Sequence, residues 1–188
     1  MLRVSEASAW VRRWAPLIRP GGRVLDLACG HGRHLRWLRA RGFELTGVDR
    51  DAAAMAGLEA FARIVVADLE GQPWPLPGET FDGIVVTNYL WRPLLPRLLS
   101  SLAPGGVLVY ETFADGHQKI GRPARPDFLL RRGELLAVAA PLRIVAYEDG
   151  WEAKPGRCVQ RIAAVDERID EASSHLRCRL DAEPQDDR

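Results

Sequence analysis

Cysteine is scarce in this sequence: the three thiols, Cys29, Cys158 and Cys178, are widely separated and form no C-x-x-C pair. That spacing suggests neither a disulfide framework nor a zinc site. The longest apolar runs, such as Val107 to Tyr110, are far shorter than the roughly 20 residues that span a bilayer. Met1 to Trp14 is interrupted by charged residues and lacks the apolar core of a signal peptide. We therefore expect a cytoplasmic protein that does not associate with membranes.

A strong excess of one charge is also missing, which bears on possible partners. The chain has 26 Lys or Arg and 25 acidic residues, and the last 23 positions hold four basic and eight acidic ones. Residues 1–165 therefore have 22 basic and 17 acidic residues, an excess well below that of a typical nucleic-acid binder. A chain of 188 residues suits one substantial core. We expect one domain over 1–165, followed by a charged tail at 166–188 that is partly disordered.

Helical and strand patterns alternate along most of the chain, which favours βαβ units and a parallel sheet. An N-terminal helix is predicted within residues 1–20, capped by Ser5. The predicted strands cover 23–28, 43–48, 64–67, 81–87 and 106–112, followed by a pair at 142–148 and 158–165. The predicted helices cover 32–41, 51–61, 92–102 and 129–140. These patterns predict an α/β fold.

The first predicted strand leads into a glycine turn, DLACGHGR at residues 26–33. Gly30 and Gly32 let a ligand approach the backbone, and the N-terminus of the next helix offers free N–H groups to a carboxylate or phosphate. A dinucleotide-binding turn would have a third glycine where Leu35 stands, and Asp26 would repel a pyrophosphate. The turn therefore argues against NAD. A purely structural strand-to-helix connection stays open.

Four stretches in the same order resemble the motifs of class I S-adenosylmethionine-dependent methyltransferases. They are VLDLACGHGRHLRWL at 24–38, GVDRD at 47–51, VADLEGQPWPLPGETFDGIVV at 66–86 and LAPGGVLVYETF at 102–113. The resemblance covers nearly all of residues 1–165 and is strongest to small bacterial enzymes of the tellurite-resistance type. It implies a Rossmann-like, doubly wound sheet of about seven strands, mostly parallel with an antiparallel last strand, with helices on both faces.

The resemblance also implies S-adenosyl-L-methionine as cofactor and S-adenosyl-L-homocysteine as product. In that arrangement the glycine turn faces the methionine part, Asp49 accepts from the ribose hydroxyls and Asp68 accepts from the adenine amino group. Arg33 would pair with the methionine carboxylate or neutralise Asp26, although it could also be a solvated helix residue. Asp68 could equally cap a turn. The expected cofactor-binding residues are Asp26, Ala28, Cys29, Gly30, Gly32, Arg33, Asp49, Arg50, Asp68, Leu69, Thr87 and Asn88.

The methyl acceptor is harder to infer because the usual acceptor motifs are missing. After the fourth strand, TNYLWRPLL replaces the N/D-P-P-Y/F signature of enzymes that methylate amide or base nitrogens. The lid loop, residues 113–130, is rich in Pro, Gly and basic residues, and it either closes over an anionic substrate or is a rigid solvated loop. The candidate catalytic residues are Glu111 or His117 as base, and Tyr89 beside the sulfonium. The candidate substrate-binding residues are Tyr89, Trp91, Arg92, Arg122 and Arg125.

Four functions are compatible with these motifs. We expect a methyltransferase that acts on a small anionic or aromatic molecule, as a monomer or homodimer, without nucleic acid or a metal. His31 and His34 lie on one turn but have no evident third ligand. The alternatives are a methyltransferase acting on RNA or protein, a nicotinamide-dependent enzyme, and a non-catalytic partner subunit that binds S-adenosylmethionine.

Overall fold

The computed structural model describes residues 6–168, so Ser5 and the predicted disordered part of the tail lie outside the described residues. The helices are α1 (Ala9–Trp14), α2 (Arg33–Arg39), α3 (Leu95–Ser100) and α4 (Glu134–Val138). The strands are β1 (Arg23–Leu27), β2 (Glu44–Asp49), β3 (Arg63–Val66), β4 (Phe81–Thr87), β5 (Leu102–Phe113), β6 (Arg143–Glu152) and β7 (Arg157–Val165). A short 3₁₀ turn follows α1, and others precede β3 and α3. The lid loop contains two more, at His117–Lys119 and Pro126–Phe128.

All seven strands form one sheet in the order β3-β2-β1-β4-β5-β7-β6. The first five pair in parallel, whereas β7 runs antiparallel to both β5 and β6. The chain reverses its direction of travel across the sheet between β1 and β4, and ligands bind doubly wound sheets at such a crevice, beyond the carboxyl ends of the strands. The Rossmann-like fold class is confirmed.

Two apolar layers bury the two faces of the sheet. One layer joins α1 and α2 to the sheet and includes Trp10 and Leu35. The other joins α3 and α4 to the opposite face and includes Leu98 and Leu135. The central strands β1 and β4 are buried almost throughout, as expected for parallel strands covered on both sides. Within residues 6–168, no helix combines the length and apolar character needed to cross a membrane.

Three predicted helices differ in the structure. Residues 51–61 form successive turns and a 3₁₀ turn at Leu58–Ala60 instead of an Ala-rich helix, because Gly57 takes a left-handed conformation (φ 85°) and interrupts the helical path. The first helix begins later than predicted, with Ser8 as its N-cap, and its continuation through Pro16 is a 3₁₀ turn. The predicted helix at 129–140 is reduced to Glu134–Val138.

Candidate active site

The glycine turn after β1 is built from left-handed backbone. Ala28, Gly30 and Gly32 have φ values of 54°, 50° and 69°. At Gly32 a side chain would also be excluded by space, since a Cβ there would lie 2.6 Å from a methyl carbon of Leu58. The turn therefore needs glycine at this position for both conformation and packing, and it brings bare backbone to the carboxyl end of β1.

Asp49 ends β2 and is fixed by backbone donors on both oxygens. The Gly30 N–H donates to Oδ2 at 2.8 Å and the Asp51 N–H donates to Oδ1 at 2.9 Å. Each carboxylate oxygen has a second lone pair, so the group can still accept from a diol. The glycine turn and Asp49 thus hold each other in place, and the role of both in binding a cofactor stays a prediction.

A pocket of about 160 Å³ lies beside this contact at the carboxyl ends of the strands. Its lining residues are Ala28, Asp49, Arg50, Ala67, Asp68, Leu69, Glu70 and Tyr89. Asp68 also accepts from the Glu70 N–H at 2.9 Å, so it caps a turn and faces the pocket at once. Of the three acidic residues in this lining, Asp49 and Asp68 are suited to the hydroxyls and amino group of a nucleoside, and the apolar neighbours are suited to its flat ring.

Tyr89 gives this pocket an aromatic wall. Burial raises the pKa of its hydroxyl, and the carboxylates of Glu70 and Asp68 act in the same direction. The hydroxyl has no hydrogen-bond partner among the described residues, and the backbone carbonyl of Tyr89 accepts from the Tyr110 hydroxyl at 2.8 Å. The side chain is therefore held neutral and serves as an aromatic surface with one free hydroxyl.

The other end of the glycine turn carries buried charges. Asp26 is almost fully buried, one of its oxygens lies 3.8 Å from His34 Nδ1, and the other has no hydrogen-bond partner within residues 6–168. Arg33 begins α2 and reaches Thr87, the last residue of β4, at 3.4 Å. Burial lowers the pKa of Arg33, although the nearby carboxylates of Glu111 and Asp26 oppose that effect. An unpaired buried carboxylate oxygen and an arginine fit the ammonium and carboxylate of an amino acid.

Cys29 is a packing residue in this turn. Burial raises the pKa of its thiol, with the carboxylates of Asp26 and Asp49 adding to the effect, so the thiol is protonated at neutral pH. A protonated, buried thiol is a poor nucleophile. Residues 6–168 also contain no group of three or more His, Cys, Asp or Glu side chains arranged to hold a metal ion.

Glu111, the candidate base at the end of β5, lies in a buried ion-pair network. Its side chain is 1% exposed, and its oxygens lie 3.2 Å from Arg157 Nη2 and 3.4 Å from Arg161 Nε. The Ser8 hydroxyl donates to it at 3.0 Å. Glu152 pairs with both arginines from the facing strand β6. Oε1 accepts from the Ser8 hydroxyl and lies near Arg157, whereas Oε2 has no hydrogen-bond partner among the described residues, so the role of Glu111 as a base stays a prediction.

The same network ties the N-terminal helix to the glycine turn. Ser8 caps α1 through its hydroxyl, which accepts from the Trp10 N–H at 3.1 Å, and its own N–H donates to His34 Nε2 at 3.3 Å. Polar contacts therefore run from Asp26 through His34 and Ser8 to Glu111. These contacts connect the proposed amino-acid end of the cofactor site to the ends of β5 and β7.

The lid loop contacts the rest of the domain at several points, and most of its side-chain hydrogen bonds to other elements come from Arg92. Arg92 pairs with both oxygens of Glu134 and donates to the carbonyls of Asp127 and Leu129. These contacts give Arg92 a structural role, and its expected role in substrate binding stays a prediction. Trp91 packs against the apolar layer that contains α3 and α4.

The remaining lid-loop candidates are distributed along the loop. His117 is buried, stacks beside Phe113 at 4.5 Å between ring centroids, and contacts the Arg122 carbonyl through Nε2 at 3.0 Å. Arg125 is exposed and pairs with Asp127. No contact links these residues to the Asp49 pocket in the described part of the chain. Their proposed substrate and base roles stay predictions.

The sequence analysis did not identify Glu70, Ser8, Arg157 or Arg161 as site residues. A signal for the two arginines was present, because residues four apart on a strand share a face and charged residues on a buried strand need partners. Ser8 carried no such signal, since its partner Glu111 is 103 positions away.

A comparison with known protein families gives a match over most of the chain. Residues 3–137 match the family model described as "Methyltransferase domain". The chain belongs to this family. The resemblance found in the sequence is thereby confirmed, together with its cofactor, S-adenosylmethionine.

The individual curated relatives are similar to this chain over only part of their length. The chain is 36% identical over 144 residues to a trans-aconitate 2-methyltransferase from Delftia acidovorans, covering 67% of this chain and 53% of that protein. It is 35% identical over 105 residues to a malonyl-[acyl-carrier protein] O-methyltransferase from Pectobacterium atrosepticum, covering 51% and 40%. The chain thus spans about half the length of these curated relatives.

Among solved structures, TehB from Haemophilus influenzae is similar in fold. Its TM-score is 0.65 at 20% identity, and the match covers 81% of this chain and 59% of that one. This likeness supports the fold and is consistent with the tellurite-resistance-type resemblance.

Proposed function

We propose that the protein is an S-adenosylmethionine-dependent methyltransferase that transfers a methyl group to a small-molecule acceptor. The observation that carries this proposal is the joint position of Asp49 and Asp68 in one pocket beside the glycine turn. When bound, the cofactor supplies an electrophilic methyl group on a sulfonium. The protein's own contribution is to hold that methyl group and the acceptor in line.

The donor set suits a cofactor without phosphate. Asp49 would accept from the ribose hydroxyls and Asp68 from the adenine amino group, while Tyr89 and Leu69 supply apolar walls. The unpaired oxygen of Asp26 would accept from the methionine ammonium, and Arg33 would pair with the methionine carboxylate. Pyrophosphate would meet the unpaired carboxylate oxygen of Asp26 at the glycine turn, so NAD fits this site poorly.

Two observations favour a small acceptor. The relatives named above act, by their names, on trans-aconitate and on a malonyl group carried by a protein. The charged side chains at the ends of β5 and β7 are largely buried, and they form a compact ion-pair network instead of a broad basic surface. RNA recognition depends on an extended basic surface, so an RNA acceptor has less support.

Calorimetric titration with S-adenosylmethionine, S-adenosylhomocysteine and NAD tests the cofactor. We expect the first two to bind and Asp49→Ala to weaken both by about 2 to 4 kcal/mol, because the charge-assisted hydrogen bonds to the ribose are lost. Asp127→Ala is the matched control, since this carboxylate is exposed in the lid loop.

Two results would contradict the proposal. Binding of NAD alone would exclude the methyltransferase cofactor, and an unchanged affinity in Asp49→Ala would show that the ribose binds elsewhere. Once the cofactor is established, mass spectrometry of a trans-aconitate reaction for a gain of one methyl group tests turnover with the acceptor that the first relative's name suggests.

A further inference from the structure

Arg157, the first residue of β7, is a largely buried arginine among the polar side chains at the carboxyl ends of β4 and β5. Its side chain is 15% exposed. Its guanidinium pairs with Glu111 of β5 and Glu152 of β6, and Nη1 lies 3.4 Å from Asn88 Oδ1, just after β4. An arginine in this position lies at the strand ends where the acceptor must meet the methyl group.

The contacts of Arg157 leave part of its hydrogen-bonding capacity free. A guanidinium has five N–H donors, one on Nε and two on each Nη. Glu152 takes the Nε donor, Glu111 is near Nη2, and the Asn88 contact with Nη1 is long. One further N–H therefore remains on each Nη, so the guanidinium can still donate to an anion.

Arg33 adds a second cation to the same strand ends. It reaches Thr87 from the β1 side of β4, while Arg157 reaches Asn88 from the β5 side, and each contact is 3.4 Å long. The two cations repel one another, as the lowering influence of Arg157 on the Arg33 pKa indicates. The methionine carboxylate of the cofactor would pair with Arg33, and a second carboxylate beside Arg157 would reduce the remaining repulsion.

We propose that Arg157 binds a carboxylate of the methyl acceptor, which makes the substrate a small carboxylic acid; this inference rests on the proposed methyltransferase function. Glu111 and Glu152 are positioning residues that fix the guanidinium. Arg161 shares both of these carboxylates, which it contacts at 3.4 and 2.7 Å. In this arrangement Glu111 orients an acceptor-binding arginine, and a base role is the alternative that its own variant tests.

Calorimetry on the full chain loaded with S-adenosylhomocysteine tests this assignment. The probes are tricarballylate and its neutral triamide. We expect the wild type to prefer the carboxylate, and Arg157→Gln to weaken carboxylate binding about 10- to 100-fold while leaving the triamide unchanged. Arg157→Lys should weaken the carboxylate less, because it keeps the charge but loses the two-pronged geometry. Arg143→Gln, on the exposed part of β6, is the control and should change neither.

The outcomes separate the two proposals. If S-adenosylhomocysteine fails to bind the wild type, the proposed function itself fails. If it binds but the wild type does not prefer the carboxylate, or if Arg157→Gln keeps that preference, the assignment of Arg157 is wrong. An equal loss of cofactor and carboxylate affinity would likewise overturn it, by showing that Arg157 serves the cofactor. Should Arg157→Gln not fold, Arg157→Lys decides the question, because unchanged carboxylate affinity in that variant would exclude a two-pronged contact.

Discussion

At the scale of single residues, Glu111 illustrates how the same side chain suggests different chemistry in sequence and in structure. At the end of β5 it has the position expected of a base, whereas its contacts are two arginines and a serine hydroxyl. An acceptor carboxylate is ionised at neutral pH, so it has no proton to lose and needs no base. If the substrate is a carboxylic acid, methyl transfer to its carboxylate therefore does not need Glu111 as a base.

Replacing Glu111 with Gln distinguishes a positioning residue from a base. We expect the acceptor KM to rise and kcat to fall less than tenfold, with the pH profile of kcat unchanged in shape. The expected loss in free energy of unfolding is about 3 kcal/mol, because two buried guanidinium groups lose a partner. Steady-state kinetics across pH, with the carboxylic acid that binds most tightly, and urea denaturation provide these values.

A base would behave differently in the same experiments. Loss of a general base lowers kcat by about 10² to 10⁴ and removes the acidic limb of the profile. Ser8→Ala is the matched variant, since it removes the hydroxyl contact to Glu111 and leaves the charges in place. If Glu111→Gln loses the acidic limb and Ser8→Ala retains it, Glu111 is the base after all.

At the scale of elements, the lid loop depends on one arginine from outside it. Arg92 precedes α3, and its guanidinium contacts the Glu134 carboxylate at 2.7 and 2.9 Å and two lid-loop carbonyls at 2.7 and 2.8 Å. The Arg92 side chain is 31% exposed. Its four short contacts join the residues after β4 to the lid loop and to α4. These contacts of Arg92 restrict the movement of the loop.

Arg92→Ala should release the loop and lower the free energy of unfolding by about 2 kcal/mol, because hydrogen bonds to a charged partner are lost and Glu134 keeps its charge. Limited proteolysis should then cut residues 113–130 faster than in the wild type. Arg125→Ala is the control: its side chain is 72% exposed and its pair with Asp127 is a surface contact, worth about 0.5 kcal/mol or less. Equal effects of the two substitutions would show that Arg92 stabilises the loop no more than an exposed surface ion pair does.

The sequence predicts the strands of this fold better than its helices. Strands such as β1 and β4 are apolar runs whose burial on both faces leaves a clear signal. The Ala-rich segment 51–61 has helical composition, yet Gly57 and the need to return the chain to β3 favour turns. Helix propensity is a weak preference that tertiary context overrides, so composition misled the prediction there.

The candidate site shows the same division. The glycine turn and Asp49 could be anticipated because their spacing follows a strand-turn-helix pattern that repeats in a known family. The network of Ser8, Glu111 and Arg157 could not, since it joins three elements that are far apart in the chain and are brought together only when α1 packs beside β5 and β7. Local patterns predict the cofactor end of such a site, whereas long-range packing determines the acceptor end.

At the scale of the whole molecule, carboxylates that pair with arginines make the stability of the protein depend on pH in the acidic range. Burial tends to raise the pKa of Glu134, but the hydrogen bonds from Arg92 and from the Arg131 N–H outweigh it and lower the pKa from its ordinary value. Burial likewise acts to raise the pKa of Glu152, and its hydrogen bonds with Arg157 and Arg161 lower it overall. Both carboxylates therefore bind protons less readily in the folded state than in the unfolded state.

This difference fixes the sign of the pH dependence. The unfolded chain binds more protons than the native one in the acidic range, so stability rises with pH there. The contribution of both groups is complete above their ordinary pKa of about 4.5 and is lost as the pH falls through their lower folded values. Acidification from pH 6 to pH 3 should therefore lower the melting temperature of the wild type.

The double variant Glu134→Gln, Glu152→Gln should be less stable at pH 7 but should lose less of its melting temperature between pH 6 and pH 3, because neither amide can take up a proton. Differential scanning calorimetry at half-unit pH steps measures both slopes. Glu167→Gln is the control, since that side chain is 55% exposed, and it should keep the wild-type slope. Parallel curves for the wild type and the double variant would mean that other carboxylates govern acid unfolding.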